Sequence, residues 1–173
     1  FGWRALPLVL VISFFGGAVS AWQAAYQFGN IIPARFIGAA TGMAILMEMA
    51  PILTGLAVVG RNGTALAAEI GSMKVTEQIE AITMLRTEPV QYLVVPRLLS
   101  MVIMSPIQCL LFLSVALWSG QIWSTIFYKV PPIVFWTSVR SGNVSLTSAD
   151  LTSMLIKSVV FGLLISIIAC GYG

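Results

Sequence analysis

The chain has 173 residues, 58% of them hydrophobic and 9% charged, with a mean hydropathy of +0.97 and a formal net charge of +3. A water-soluble domain usually carries about 25% charged residues, so this composition excludes a globule that covers itself with polar side chains. It leaves the lipid bilayer as the solvent, and the small positive balance shows no interleaving of basic and aromatic residues that would suit nucleic acid.

Nothing charged lies between Arg4 and Arg35, and residues 6–28 supply the ~20 apolar residues that a spanning helix needs. The run is too long and too uncharged at its start for a cleaved signal peptide, so a permanent helix is expected. Small residues recur along it at every fourth position, as Gly16, Ser20 and Ala24 beside Gly17, Ala21 and Ala25. Such stripes let backbones approach closely where dispersion, not water exclusion, drives association; ordinary helix packing explains them better than a dedicated dimer seam. Near the outer end, Val19, Trp22, Gln23 and Tyr26 follow an i, i+3, i+4, i+7 face. An amide in hydrocarbon favours a protein- or water-lined interior, so Gln23 turns this face toward a cavity. The alternative for Trp22 and Tyr26 is an interfacial aromatic belt.

A second apolar run, residues 37–62, is interrupted within the membrane by Glu48, and a third, residues 97–120, begins at Arg97 and is uncharged beyond it. The fourth, residues 150–172, carries Lys157 within it and has Gly162, Ser166 and Cys170 as a further small-residue stripe. Glu48 precedes Arg61, and Lys157 precedes Gly171, by similar numbers of residues. At about 1.5 Å per residue both lie roughly 20 Å from the same boundary. Matched depth predicts that they approach each other, because a lone charge there costs several kcal/mol and a pair offsets much of it. A snorkelling Lys157 beside a protonated Glu48 is the competing reading. Cys109 and Cys170 both fall inside spans, where free cysteine behaves as a small apolar residue. The expected fold is therefore an all-α integral membrane protein, a single transmembrane domain of four spans. Its ends at Phe1 and Gly171-Tyr172-Gly173 suggest that further segments flank it on both sides.

Four alternating spans put residues 63–96 on one side and the loop of residues 121–149 on the other. Arg4, Arg61, Lys74, Arg86 and Arg97 outnumber Arg35, Lys129 and Arg140, so the positive-inside rule places residues 63–96 in the cytoplasm and residues 121–149 outside. The cytoplasmic segment concentrates the polarity. Gly71 and Ser72 read as a break and an N-cap; Val75, Ile79 and Ile82 then follow at helical spacing, with Lys74, Glu77, Gln78 and Glu80 on other faces. Pro89 ends this short amphipathic helix. Helices that lie on membranes usually carry more Lys and Arg, so its mixed charge favours a protein partner. The chain has no histidine, no Gly-Lys-Ser/Thr phosphate loop and no cysteine cluster with metal-ligand spacing. Any ATP hydrolysis belongs to another chain.

The run Gly60-Arg61-Asn62-Gly63-Thr64-Ala65-Leu66-Ala67-Ala68-Glu69-Ile70-Gly71-Ser72-Met73-Lys74-Val75-Thr76-Glu77-Gln78-Ile79-Glu80-Ala81 resembles the signature of MlaE-type permeases. The resemblance continues through Glu88-Pro89 to Pro96-Arg97, upstream to Glu48-Met49-Ala50-Pro51, and downstream to Ile156-Lys157-Ser158 and the terminal Gly-Tyr-Gly, with residues 123–148 weakly matched. Asn62, Ala50, Thr87 and Glu88 depart from the usual residues without removing a charged motif position. The resemblance implies a subunit of an ABC transporter that moves phospholipid or a related lipid between membranes and maintains envelope lipid asymmetry, in a bacterial inner membrane or a plastid inner envelope. It implies a homodimer of permeases, a cytoplasmic ATPase dimer carrying ATP and Mg, and an MCE-domain substrate-binding protein outside, with no cofactor in this chain. By that analogy residues 76–85 form the coupling helix, with Thr76, Glu77, Gln78, Glu80 and Arg86 contacting the ATPase. Val19, Trp22, Gln23, Tyr26, Glu48 and Lys157 become the candidate lipid-binding residues. An ion-coupled carrier or channel that uses Glu48 and Lys157 as an intramembrane relay stands as the alternative, and a purely structural scaffold leaves the polar segment unexplained.

Overall fold

A computed structural model of the chain describes residues 2–28, 33, 36–84, 90–141 and 148–172. All the secondary structure among these residues is helical, and four of the helices are long and apolar enough to cross a membrane. Helix α1 spans Gly2–Phe28, and α2 runs from Ile37 to Val75. The short α3 is Gln78–Met84; α4 is Val95–Tyr128, entered through a wide π turn at Val90–Val94. Helix α5 is Pro132–Ser141 and α6 is Ser148–Tyr172.

Helix α2 is not regular. Two wide π turns, Ile45–Met49 and Val59–Gly63, interrupt it. Pro51 has no N–H to give the carbonyl four residues back, which is that of Met47, and its ring crowds that carbonyl. A π turn just before the proline opens the ladder where that crowding falls. With 39 residues, α2 is about 58 Å long, nearly twice the ~30 Å hydrocarbon thickness, so it projects well beyond the bilayer.

That overrun changes the boundaries read from the sequence. The second helix does not stop near residue 62, and no break or N-cap occurs at Gly71-Ser72. Leu66 and Ile70 are buried against Ala169 of α6, and this packing carries the helix through Gly71. Ser72 donates its hydroxyl back to the Glu69 carbonyl at 2.8 Å instead of capping a new helix. The break comes at Thr76-Glu77, where Glu77 has φ of 58°. Helix α4 likewise passes residue 120 and ends at Lys129, whose φ of 52° turns the chain. Within residues 121–149, expected as loop, α5 forms and lays Phe135 and Val139 against Ile37 and Ala25.

The small-residue stripes seat the helices. Helix α1 lies along α4, and a Cβ on Gly17 would overlap the Ala116 carbonyl oxygen. Gly120 faces Ala21 and Thr41 at the same crossing. On the other side of α4, a Cβ on Gly162 of α6 would meet that of Ser105 at 2.9 Å. Ser105 donates to the Ser158 carbonyl at 2.7 Å, a buried bond between these two helices. Phe112, Ile45, Leu46, Val9 and Met154 fill the centre where α1, α2, α4 and α6 meet.

Candidate functional sites

Two side-facing grooves and one polar end carry the residues singled out by the sequence. The larger groove, about 560 Å³, runs along α1 and is lined by Val19, Trp22, Gln23 and Tyr26, so the i, i+3, i+4, i+7 face occupies one concavity. Phe15, Ala18, Gln27 and Trp123 complete its lining. Trp22 stands edge-on to Phe127 with ring centroids 5.2 Å apart, and Phe127 stacks on Trp123. The wall is mainly apolar, with the two glutamine amides, the Tyr26 hydroxyl and two indole N–H groups as its polar features, an arrangement suited to acyl chains beside a few polar groups. Phe15 extends the same α1 face by one turn, Gln27 follows Gln23 at i+4 on it, and both were readable from that spacing. Trp123 arrives from α4, and no local pattern announces it.

The second groove, about 460 Å³, lies between α2 and α6 and is lined by Met47, Glu48, Pro51, Ile52, Ile156, Lys157, Val160, Phe161 and Leu164. Glu48 and Lys157 therefore do share a site, as their matched depths require. They do not form the expected ion pair. The Lys157 ammonium donates instead to the Met47 backbone carbonyl at 2.9 Å. Pro51 fits this preference, since it cannot supply the N–H that the Met47 carbonyl would take in a regular α register, and a carbonyl in a medium without water is a strong acceptor.

At the opposite end of the same helices, Arg97 at the start of α4 pairs with Glu69 of α2 at 3.3 Å and approaches the Met73 sulfur at 3.9 Å. The Arg97 side chain is only 11% exposed, against 40% for Glu69. The pair joins residues 28 positions apart in sequence (97 − 69) and closes the base of the polar segment. Beyond it Thr76, Glu77, Gln78 and Glu80 are all exposed, at the turn and on α3. Arg86 lies outside the described residues. Sequence spacing offers no route to the Glu69–Arg97 pair, which depends on α2 and α4 running side by side past the membrane.

The family profile described as permease MlaE matches residues 1–173. A probable ABC transporter permease protein of Synechocystis sp. is 38% identical over 172 residues, covering 99% of this chain and 64% of the relative. A probable ABC transporter permease protein of Rickettsia typhi is 36% identical, with 99% and 65% covered. The chloroplastic protein trigalactosyldiacylglycerol 1 of Arabidopsis thaliana is 32% identical, with 99% and 48% covered. The chain thus spans less than two thirds of the length of each of these relatives. With four membrane-length helices, a polar segment on the projecting ends of α2 and α4, and a match over its whole length, the chain belongs to the MlaE permease family.

Proposed function

We propose that this chain is the membrane subunit of an ABC transporter that moves phospholipid or a related lipid, with the α1 groove as the lipid-holding surface. The observation that carries the reading is that groove: Val19, Trp22, Gln23 and Tyr26 form an apolar concavity with amide groups, open to the side on a helix of membrane length. The family membership supports the ABC assignment, and the Arabidopsis relative bears the name of a diacylglycerol lipid. Two such chains pair, an MCE-domain protein sits outside, and the location is a bacterial inner membrane or plastid inner envelope. Two cytoplasmic ATPases, holding ATP and Mg, dock on Thr76, Glu77, Gln78, Glu80 and Arg86. Glu48 adds a carboxylate to the lipid path from the α2–α6 groove. An ion relay through Glu48 and Lys157 finds less support, because the Lys157 proton is donated to a backbone carbonyl that cannot pass it on.

A photo-crosslinker at position 22 of the intact complex tests the lipid surface: retained substrate lipid should be captured, and capture of bulk lipid alone overturns it. Glu77→Lys with Glu80→Lys tests docking. The doubly reversed permease should remain folded and recover less ATPase in a pull-down; normal recovery with normal transport refutes the assignment.

A further inference from the structure

Lys157 lines the α2–α6 groove from α6, and its ammonium donates to the groove's own wall. It is held by Met47, 110 residues away in sequence, at 2.9 Å. Met47 lies in the π turn Ile45–Met49, four residues before Pro51; in a regular α register its carbonyl would take the N–H that the proline lacks. Glu48 is the next residue in the same turn, exposed along the groove wall. A carbonyl without a donor inside hydrocarbon is strongly unfavourable, and a lysine side chain is long enough to serve as a replacement donor from a neighbouring helix.

We propose that Lys157 is a positioning residue whose ammonium takes the place of the N–H that Pro51 lacks. It fixes the π turn and thereby sets the direction in which Glu48 enters the groove. This deepens the reading of the α2–α6 groove as part of a lipid path, and it changes the division of labour there. Glu48 is the charge presented to a ligand, while the charge of Lys157 is already engaged with the protein's own backbone. What the chain requires at position 157 is then a hydrogen-bond donor of sufficient reach rather than a positive charge as such. It also requires that donor only because position 51 is proline.

Both requirements can be measured on the full-length permease in detergent, without ATPase or lipid, so the outcome stands even if the lipid-transport reading fails. Lys157→Met should lower the melting temperature by about 5 °C, as expected for an unmade backbone hydrogen bond. Lys157→Arg and Lys157→Gln, which keep a donor, should recover most of that loss. In a Pro51→Ala background, where the N–H returns, Lys157→Met should have little effect. A thiol reporter, Glu48→Cys, tests the aim of the turn: maleimide labelling at position 48 should fall in Lys157→Met and be kept in Lys157→Arg. An equal melting loss from Lys157→Met in the wild-type and Pro51→Ala backgrounds overturns the proposal, as does Lys157→Gln as damaging as Lys157→Met beside a wild-type-like Lys157→Arg. So does labelling at position 48 that is indifferent to Lys157→Met.

Discussion

Alanine at Gly17 places the most demanding test on the packing of α1 against α4. The added Cβ would overlap the Ala116 carbonyl oxygen and lie 2.8 Å from the Cα of the same residue. Both are backbone atoms, so no side chain can swing aside, and the helices must part by roughly 1 Å or more to reach ordinary van der Waals separation. That displacement also reaches Gly120, which faces the Gly17 carbonyl, and the bond from the Ser119 hydroxyl to the Phe14 carbonyl. Alanine gains about 1 kcal/mol of helix propensity. Against it stand about 1–3 kcal/mol of overpacking and about 0.5–1 kcal/mol for a weakened interhelical bond in the membrane. The net expectation is a loss of about 2 kcal/mol, or about 4–8 °C in melting temperature for a chain of this size. Gly60→Ala is the matched control, since a Cβ there meets nothing within 4 Å. Thermal unfolding of the purified permease in detergent decides the matter. Gly17→Ala melting at or above wild type, or no lower than Gly60→Ala, refutes the close-approach argument.

Two other substitutions test separate links. Ser105→Ala removes the buried donor to the Ser158 carbonyl and should cost about 0.5–1.5 kcal/mol, read as a modest drop in melting temperature with no change of oligomeric state. Glu77→Gly should divide stability from docking: relief of the left-handed conformation at φ 58° raises stability by about 1 kcal/mol, while loss of the carboxylate reduces the ATPase recovered in a pull-down.

The membrane-length helices were legible because hydrocarbon tolerates so few charges that uncharged runs mark them directly. The face from Val19 to Tyr26 was legible for a similar reason, since one helix supplies four of its members and their spacing is local. Where the reading missed, tertiary packing had outweighed local signals. Gly71 suggested a break, yet Leu66 and Ile70 buried against Ala169 hold the helix straight through it. The π turns left only an indirect trace, a proline placed four residues after Met47. Helix α5 announced itself weakly through Pro132 at its start, and its seat on Ile37 and Ala25 required three helices to be in place. The partner of Lys157 is not legible from charges alone, because a backbone carbonyl in the turn before Pro51 takes the ammonium in place of Glu48.

The two wide turns of α2 have a consequence for how this chain can change length. Each holds one more residue than an α turn would over the same stretch, so a single deletion inside Ile45–Met49 or Val59–Gly63 is absorbed by rewinding to regular helix. A deletion anywhere else in α2 rotates all that follows by about 100°. That rotation would carry Ala57 out of the core and Ile52 and Leu56 into it. Loss of one residue beside Glu48 would therefore spare the inherited faces of the helix and redirect only the carboxylate, leaving a scaffold that still assembles around an altered groove.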